Sequence, residues 1–387
     1  MLFVHMYKTE ERKDDTMTSM KKISFSLSVL LALALFMTGC AAGSSSTTTP
    51  SSTADPATTA PISESTAPPV TTTTPAETEE PTPTPADDRV EMSIGALNGP
   101  TGIGMSYLMA AHDDGETLHD YTFRLAGSPD DLVAGLTSGE LDIAALPTNL
   151  AAVLYQKTNQ KIQLLAVNTL GVLYVLENGD SIQTVEDLRG RTLQATGQAA
   201  VPEFAINYIL QANDLQDEVT VDYLSEHAEL ATLAASGQAD LVLLPEPFVT
   251  TVLNNAPDFR IALDLTAEWQ TAQREAGSQS ELAMGCLVVR ADFAKANAAA
   301  LQDFLAEYEA SVTKVNANPE QAGELVEQYG IMPNGKLAAK AIPNCNIVMM
   351  AGADMRPILE PFYEVLFAAN PQSVGGQLPD DGFYLAP

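Results

Sequence analysis

The sequence predicts an α/β protein built from two similar lobes. Three observations carry that reading. From residue 91 onward, strand-like and helix-like segments alternate at short spacing, which argues for parallel sheets. The stretch 92–154 aligns without a gap on a second stretch at a constant offset of 98, so that "SGELDIAALP" from Ser138 returns as "SGQADLVLLP" from Ser236. Near residue 90 the composition changes abruptly from Ser, Thr and Pro to a globular mixture. With 387 residues and 45% hydrophobic content, the chain has material for two cores.

In the first unit, "MSIGAL" (92–97) is a strand and "GIGMSYLMAAH" (102–112) a helix, with Gly99 and Pro100 breaking the chain before it. "YTFRLAG" (121–127) is a strand. "SPDDLVAGLTSG" (128–139) is a helix with Ser128 as N-cap, Pro129 first and acids in the first turn. "LDIAAL" (141–146), "PTNLAAVLYQKT" (147–158) and "KIQLLAVN" (161–168) read as strand, helix and strand. The second unit repeats the order: "RTLQAT" (191–196), a helix over 197–213, "VTVDYL" (219–224), a helix over 226–236, "ADLVLL" (239–244) and a helix over 245–255.

Only eight aligned positions are identical, but five cluster: Ser138/Ser236, Gly139/Gly237, Asp142/Asp240, Leu146/Leu244 and Pro147/Pro245. Each has a local use. The Gly ends a helix in the left-handed region, the Asp precedes a buried strand and the Pro opens the next helix. Beyond Pro257, "FRIALDLT" (259–266) is a further strand, and "LAMGCLVVR" (282–290) one that returns to the first lobe. Helices follow over 292–315, 319–329 and 355–370, the last interrupted by Pro357 and Pro361; they are expected to pack on the first lobe and the hinge.

Charge and composition exclude several functions. Lys and Arg number 19 against 50 Asp and Glu, a formal −31 that repels nucleic acid. No CxxC occurs, and His112, His119 and His227 do not sit at metal-ligand spacing. Cys286 and Cys345 are either a disulfide or two separately buried thiols. No GxSxG, S-x-x-K or P-loop site is expected, and "GPTGIG" (99–104) is not a dinucleotide fingerprint, because no acid closes the next strand. No cofactor is expected.

The first forty residues read as an address. Lys21 and Lys22 precede an apolar run from Ile23 to Met37 of 15 residues, short of the roughly 20 that a spanning helix needs. Thr38-Gly39-Cys40 follows and resembles a bacterial lipobox, with Cys40 the lipidated residue. Acids at Glu10, Glu11, Asp14 and Asp15 fit such a leader poorly, which points to translation starting at Met17 or Met20. Removal of residues 1–40 leaves 14 basic against 46 acidic residues. Residues 41–89 have almost nothing apolar to bury and read as a disordered tether, with a flexible-chain reach of about 40 Å.

In open parallel sheets a ligand lies beyond the carboxyl ends of the strands, where helix N-termini point. Those loops are Asn98, Gly99, Pro100, Thr101 and Gly102; Ser128; and Thr148 with Asn149 in the first lobe. In the second they are Thr196, Gly197, Gln198 and Ala199; Ser225; and Glu246. Free N–H groups and the helix dipole suit an anion or a polar group there. Ser128, Thr148 and Thr196 serve equally as helix caps. Glu246 stands where the first lobe has Thr148, and reads either as a solvated first-turn acid or as a counter-charge for an amine or protonated ring. No Lys or Arg falls in any of these loops, which favours a zwitterion or an amine-bearing ring over a simple oxyanion.

The stretch 181–223 resembles the crossover and second-lobe start of nitrate/sulfonate/taurine-type solute-binding proteins of ABC importers. Asp187-Leu188-Arg189-Gly190-Arg191 matches the family's turn before a strand, Gly197 its glycine loop, and Leu210 to Leu215 its helix end. The paired "SG..D" elements, the "CLVVRADF" return and the lipobox also match, and the resemblance extends over about residues 90–330. It implies a type II periplasmic-binding-protein fold, with two Rossmann-like lobes, a two-crossover hinge and a central cleft. Lobe 1 is then 90–172 with 284–387, and lobe 2 is 173–283. The implied protein is a monomeric extracytoplasmic lipoprotein, held at the membrane by its lipid, that captures a small polar solute by hinge closure. It passes that solute to an ABC permease and its ATPase. The family takes up sulfonates, taurine, nitrate, bicarbonate or thiamine-precursor pyrimidines. Alternatives are a surface ligand sensor and an enzyme of the same fold, such as the menaquinone-pathway enzymes or a pyrimidine synthase. The synthase uses a His and a Lys, a pair absent from these loops.

Overall fold

The computed structural model describes residues 89–385; the expected leader, Cys40 and the tether lie outside the described residues. The chain opens with β1 (Glu91–Leu97), α1 (Pro100–Ile103), α2 (Ser106–Asp113), β2 (Asp120–Ala126), α3 (Pro129–Ser138), β3 (Ile143–Pro147), α4 (Thr148–Lys157) and β4 (Ile162–Thr169). It continues with β5 (Leu173–Asn178), β6 (Thr192–Thr196), α5 (Val201–Ala212), β7 (Thr220–Leu224), α6 (His227–Ala235), β8 (Leu241–Pro245), α7 (Phe248–Asn255), β9 (Phe259–Asp264) and α8 (Leu265–Glu275). The final part holds β10 (Gly285–Arg290), α9 (Ala291–Ala296), α10 (Ala298–Ala317), α11 (Pro319–Gln328), α12 (Gly335–Ala341), β11 (Ile347–Ala351) and α13 (Met355–Ala369).

The strands form two sheets, ordered β11-β4-β10-β3-β1-β2 and β7-β6-β8-β5-β9. Without β11 the two orders correspond strand for strand: β2 to β7, β1 to β6, β3 to β8, β10 to β5 and β4 to β9. The 98-residue repeat is thus a repeat of topology. Both sheets are mixed rather than wholly parallel as expected. β1 pairs β2 and β3 in parallel, as β6 pairs β7 and β8, but β10 and β5 enter antiparallel. Each of these antiparallel strands follows a crossing from the other lobe, so its direction is set by the side on which the chain enters.

Local sequence explains the shared boundaries. Ser128 Oγ accepts from the Asp130 N–H at 3.3 Å and Pro129 opens α3, while Gly139 ends it at φ 83°. Gly237, its counterpart, sits at φ 71° after α6. Asp142 accepts from the Ser93 N–H at 2.9 Å and from Arg290 at 3.2 Å, fixing the start of β3 against β1 and β10. Pro147 leads directly into α4, but Pro245 closes β8 and α7 begins three residues later, at Phe248.

Other expectations are revised. The helix expected over 292–315 breaks at Asn297, and α5 starts at Val201, because Gly197 and Ala199 adopt positive φ. The last helix is continuous. Pro357 falls in its first turn, where no helical N–H bond is needed, and at Pro361 the buried face of Ile358, Leu359, Phe362, Tyr363 and Leu366 carries the helix through. The free thiols Cys286 and Cys345 are buried in different clusters, so the separate-thiol reading holds.

Three hydrophobic clusters hold the described residues together. One lies under α2, α10, α11 and α12 on lobe 1, and one under α6 and α7 on lobe 2. The third is continuous across both lobes, running from α3 and α4 through α13 to α5 and α8. Trp269 on α8, fully buried, belongs to it and packs against Tyr208 of lobe 2 and Phe362 of α13, with ring centroids 4.8 and 5.9 Å away. Two crossovers join the sheets, 170–172 and 276–284.

Candidate functional site

Among the residues singled out from sequence, the lobe 1 group gathers at the carboxyl ends of β1, β2 and β3. The Asn98 N–H donates to the Ala126 carbonyl at 3.0 Å, tying the ends of β1 and β2 together. Gly99 adopts φ 103° and ψ −151°, a conformation that disfavours a side chain, and precedes Pro100 at the first position of α1. Gly102 packs so closely that an added Cβ would lie 2.5 Å from the Leu97 carbonyl oxygen. The Thr101 carbonyl accepts from the buried Asn168 Nδ2 at 3.3 Å, linking this turn to β4. Thr148 is fully buried with no hydrogen-bond partner for its hydroxyl among the described residues, whereas the side chain of Asn149 is partly exposed and makes no hydrogen bond among them.

In lobe 2 the strand ends of β6, β7 and β8 bring together a cluster that sequence reading only half identified. Thr196 Oγ1 lies 2.5 Å from His227 Nδ1, and the His227 ring packs on Phe248 at 5.3 Å between centroids. Thr196 is buried, and His227 and Phe248 are partly buried. Burial pushes the imidazole pKa below its ordinary value, which favours the neutral ring. Gly197 and Ala199 hold the β6–α5 loop at φ 81° and 61°, and the Ala199 N–H donates to the Glu203 carboxylate. Gln198 and Ser225 are exposed and make no side-chain hydrogen bonds among the described residues.

Glu246 is not a solvated acid. It is 2% exposed and accepts from the Thr250 N–H at 3.1 Å, the Thr250 hydroxyl at 2.9 Å and Asn344 Nδ2 at 3.2 Å. Burial raises its pKa, with the three hydrogen bonds opposing that rise. It therefore caps α7 and reaches across to the turn before β11, with no open face for a counter-ion. A neighbouring contact, Lys340 Nζ to Asn254 Oδ1 at 2.7 Å, joins α12 to α7 on the same flank.

His227 and Phe248 were missed. His227 takes the place that Pro129 holds in the first unit, the first residue of a helix after a strand end, and that equivalence is the signal that finds it. An S-x-x-K spacing, Ser311 to Lys314, lies in α10. Ser311 is buried and donates to the Gly104 carbonyl at 2.6 Å, and Lys314 sits over the Tyr107 ring at 5.9 Å, so the two do not form a nucleophile and base. Among the described residues no group of His, Cys, Asp and Glu gathers at a metal-binding geometry, and no helix is long and apolar enough to cross a membrane. A concavity of about 580 Å³ beside Lys157, Lys161 and Arg290 lies at the opposite ends of β3 and β4, away from these loops.

Two like-built lobes on two short crossovers, with helix starts at the carboxyl ends of both sheets, define a type II periplasmic-binding-protein architecture. The chain belongs to the family described as ABC transporter, phosphonate, periplasmic substrate-binding protein, whose model matches residues 116–333, more than half of the sequence. It is thus a solute-binding protein of an ABC transporter. Among solved structures it is similar to an ABC transporter protein from Parabacteroides distasonis, at 25% identity and TM-score 0.65, over 76% of this chain and 98% of that one. It also shares the fold of the aliphatic sulphonate binding protein SsuA of Escherichia coli, at 16% identity and TM-score 0.60, over 77% and 92%. A third likeness is the alkanesulfonate-binding SsuA of Xanthomonas axonopodis bound to MOPS, at 13% identity and TM-score 0.53, over 77% and 96%. No curated protein matches the sequence.

Proposed function

We propose that this chain is a lipid-anchored extracytoplasmic receptor that captures a small polar organic solute between its lobes and presents the closed form to an ABC permease and its ATPase. The observation that supports this most directly is the duplicated sheet order, which puts the loops after β1, β2 and β3 and those after β6, β7 and β8 at equivalent ends of two lobes. Segments 170–172 and 276–284 carry the chain between the sheets, and rotation of the lobes takes place about these crossovers and the cluster around Trp269 that both lobes share. Contacts that a solute makes with both lobes favour the closed form, and that differential affinity is the signal a permease reads.

A thermal-shift series with methanesulfonate, taurine, methylphosphonate, nitrate, bicarbonate and a hydroxymethyl-aminopyrimidine tests the reading. A compound present at about 100 times its dissociation constant adds roughly 2.7 kcal/mol of stability. It should also reduce the radius of gyration in solution scattering. Lipid attachment is tested separately, by mass spectrometry of the membrane-extracted protein, in which Cys40→Ala abolishes the acylated N-terminal peptide.

A further inference from the structure

The family description and the sulfonate-binding structures point to oxyanions, but the lobe 2 half of this cleft is built against them. All three of its helix starts carry a carboxylate of their own. At α5, Glu203 takes the Ala199 N–H. At α6, Glu226 is the N-cap residue and Glu229 lies in the first turn. At α7, Glu246 takes the N–H and hydroxyl of Thr250. An incoming sulfonate or phosphonate would meet the exposed Glu226 and Glu229, and would find the Ala199 and Thr250 N–H groups already taken by Glu203 and the enclosed Glu246, where a helix start ordinarily offers such groups to an anion. No Lys or Arg lies in the loops 196–199, 225–226 or 245–248 to offset them.

The same strand ends present a different surface. His227 and Phe248 come from separate strand–helix junctions, yet their rings pack at 5.3 Å with 41° between planes, and both are partly exposed. Thr196 engages Nδ1 of His227, while Nε2 makes no bond among the described residues. The result is an aromatic wall with one directional polar group, standing among carboxylates.

We propose that this wall is the specificity-determining surface of lobe 2, and that the solute carries a planar group without negative charge, a neutral or protonated nitrogen heterocycle, that stacks on Phe248 and bonds His227 Nε2. The assignment rests on the solute-binding reading above and narrows it. Aromatic stacking and the imidazole bond supply the attraction, and the carboxylates reject anions.

Calorimetry on the purified chain with 4-amino-5-hydroxymethyl-2-methylpyrimidine, methanesulfonate and methylphosphonate decides it. The expected result is binding of the pyrimidine alone, weakened at least 10-fold by Phe248→Leu and by His227→Ala, with thermal midpoints within a few degrees of the parent. His227→Gln, which keeps a donor, should retain more affinity than His227→Ala. Binding of either oxyanion more tightly than the pyrimidine overturns the assignment, and so does pyrimidine binding indifferent to both Phe248→Leu and His227→Ala. Failure of all three probes to bind also counts against it. Scattering separates the two readings: an oxyanion that closes the lobes removes only the heterocycle assignment, whereas lobes that close on none of the probes above count against solute capture as well.

Discussion

Thr148 and Glu246 occupy the same position in the two halves of the repeat, and each donates its backbone N–H to a crossover carbonyl. Thr148 donates to Met284 at 3.2 Å and Glu246 to Val172 at 2.9 Å. The duplicated unit thus ends, in both lobes, on the hinge. The side chains then diverge. Among the described residues the Thr148 hydroxyl has no partner, while the Glu246 carboxylate accepts three hydrogen bonds, one of them from the turn before β11.

That third partner gives a first prediction. Asn344→Ala strips a hydrogen bond from a buried carboxylate and should cost about 1–3 kcal/mol in urea unfolding. Asn344→Asp sets a second carboxylate against Glu246. Its loss should be larger at pH 8 than at pH 5, because protonating one of the two relieves the repulsion. A pH-independent loss in Asn344→Asp would contradict the contact.

His227 gives the pH dependence. Burial lowers its folded-state pKa below 6.5, so the unfolded chain binds more protons as the solution is acidified. The stability this residue contributes is present above pH 6.5 and is lost as pH falls from there toward the depressed folded value. His227→Gln should flatten that part of the profile. The ring's proton resonance should titrate with a midpoint below 6.5; a midpoint above it would sink the prediction.

Two glycines separate backbone strain from crowding. Gly197 sits at φ 81° with Pro202 Cγ 2.6 Å from where a Cβ would be, whereas Gly237 sits at φ 71° with open space around it. Gly237→Ala should cost about 1–2 kcal/mol for the left-handed conformation alone. Gly197→Ala should cost about 1–3 kcal/mol more, because a ring must move as well. Equal thermal midpoints for the two variants would argue against the tight loop.

Trp269 is the only tryptophan and is fully buried between Tyr208 and Phe362, with its Nε1 donating to Ser280 at 3.4 Å. Trp269→Phe should cost less than Trp269→Ala, which should lose about 3–5 kcal/mol. Because the ring touches elements of both lobes, its fluorescence should shift when a solute changes their angle, and should move to the red on unfolding.

Much of this architecture was legible because the chain writes it twice. The paired Gly139 and Gly237, the Ser128 cap and the paired strand-opening Asp142 and Asp240 are local signals that survive tertiary packing. What escaped was set by distant contacts. β5 is an apolar run whose strand identity comes from its place between β8 and β9, and β11 is a short edge strand held by β4. α8 turns a polar face outward around Trp269, so its mean hydropathy gave little sign of a core helix. Glu246 was visible as an acid just after β8, but its contact with Asn344 comes from 98 residues later in the chain. His227 lies 31 residues from Thr196, and only the strand order β7-β6-β8 brings it between Thr196 and Phe248.

The position of β10 between β3 and β4 bears on how the chain matures. The five-stranded sheet draws all its strands from residues 173–264, so it is complete once that span has emerged during synthesis. The six-stranded sheet has a gap between β3 and β4 until residues 285–290 arrive, although its first four strands were made much earlier. The N-terminal lobe must therefore wait, with β3 and β4 unpaired along facing edges, for a strand that comes after the second lobe. Its apolar edges stay exposed throughout that interval, and it is the half of the molecule that most needs shielding from aggregation on the way to its final state.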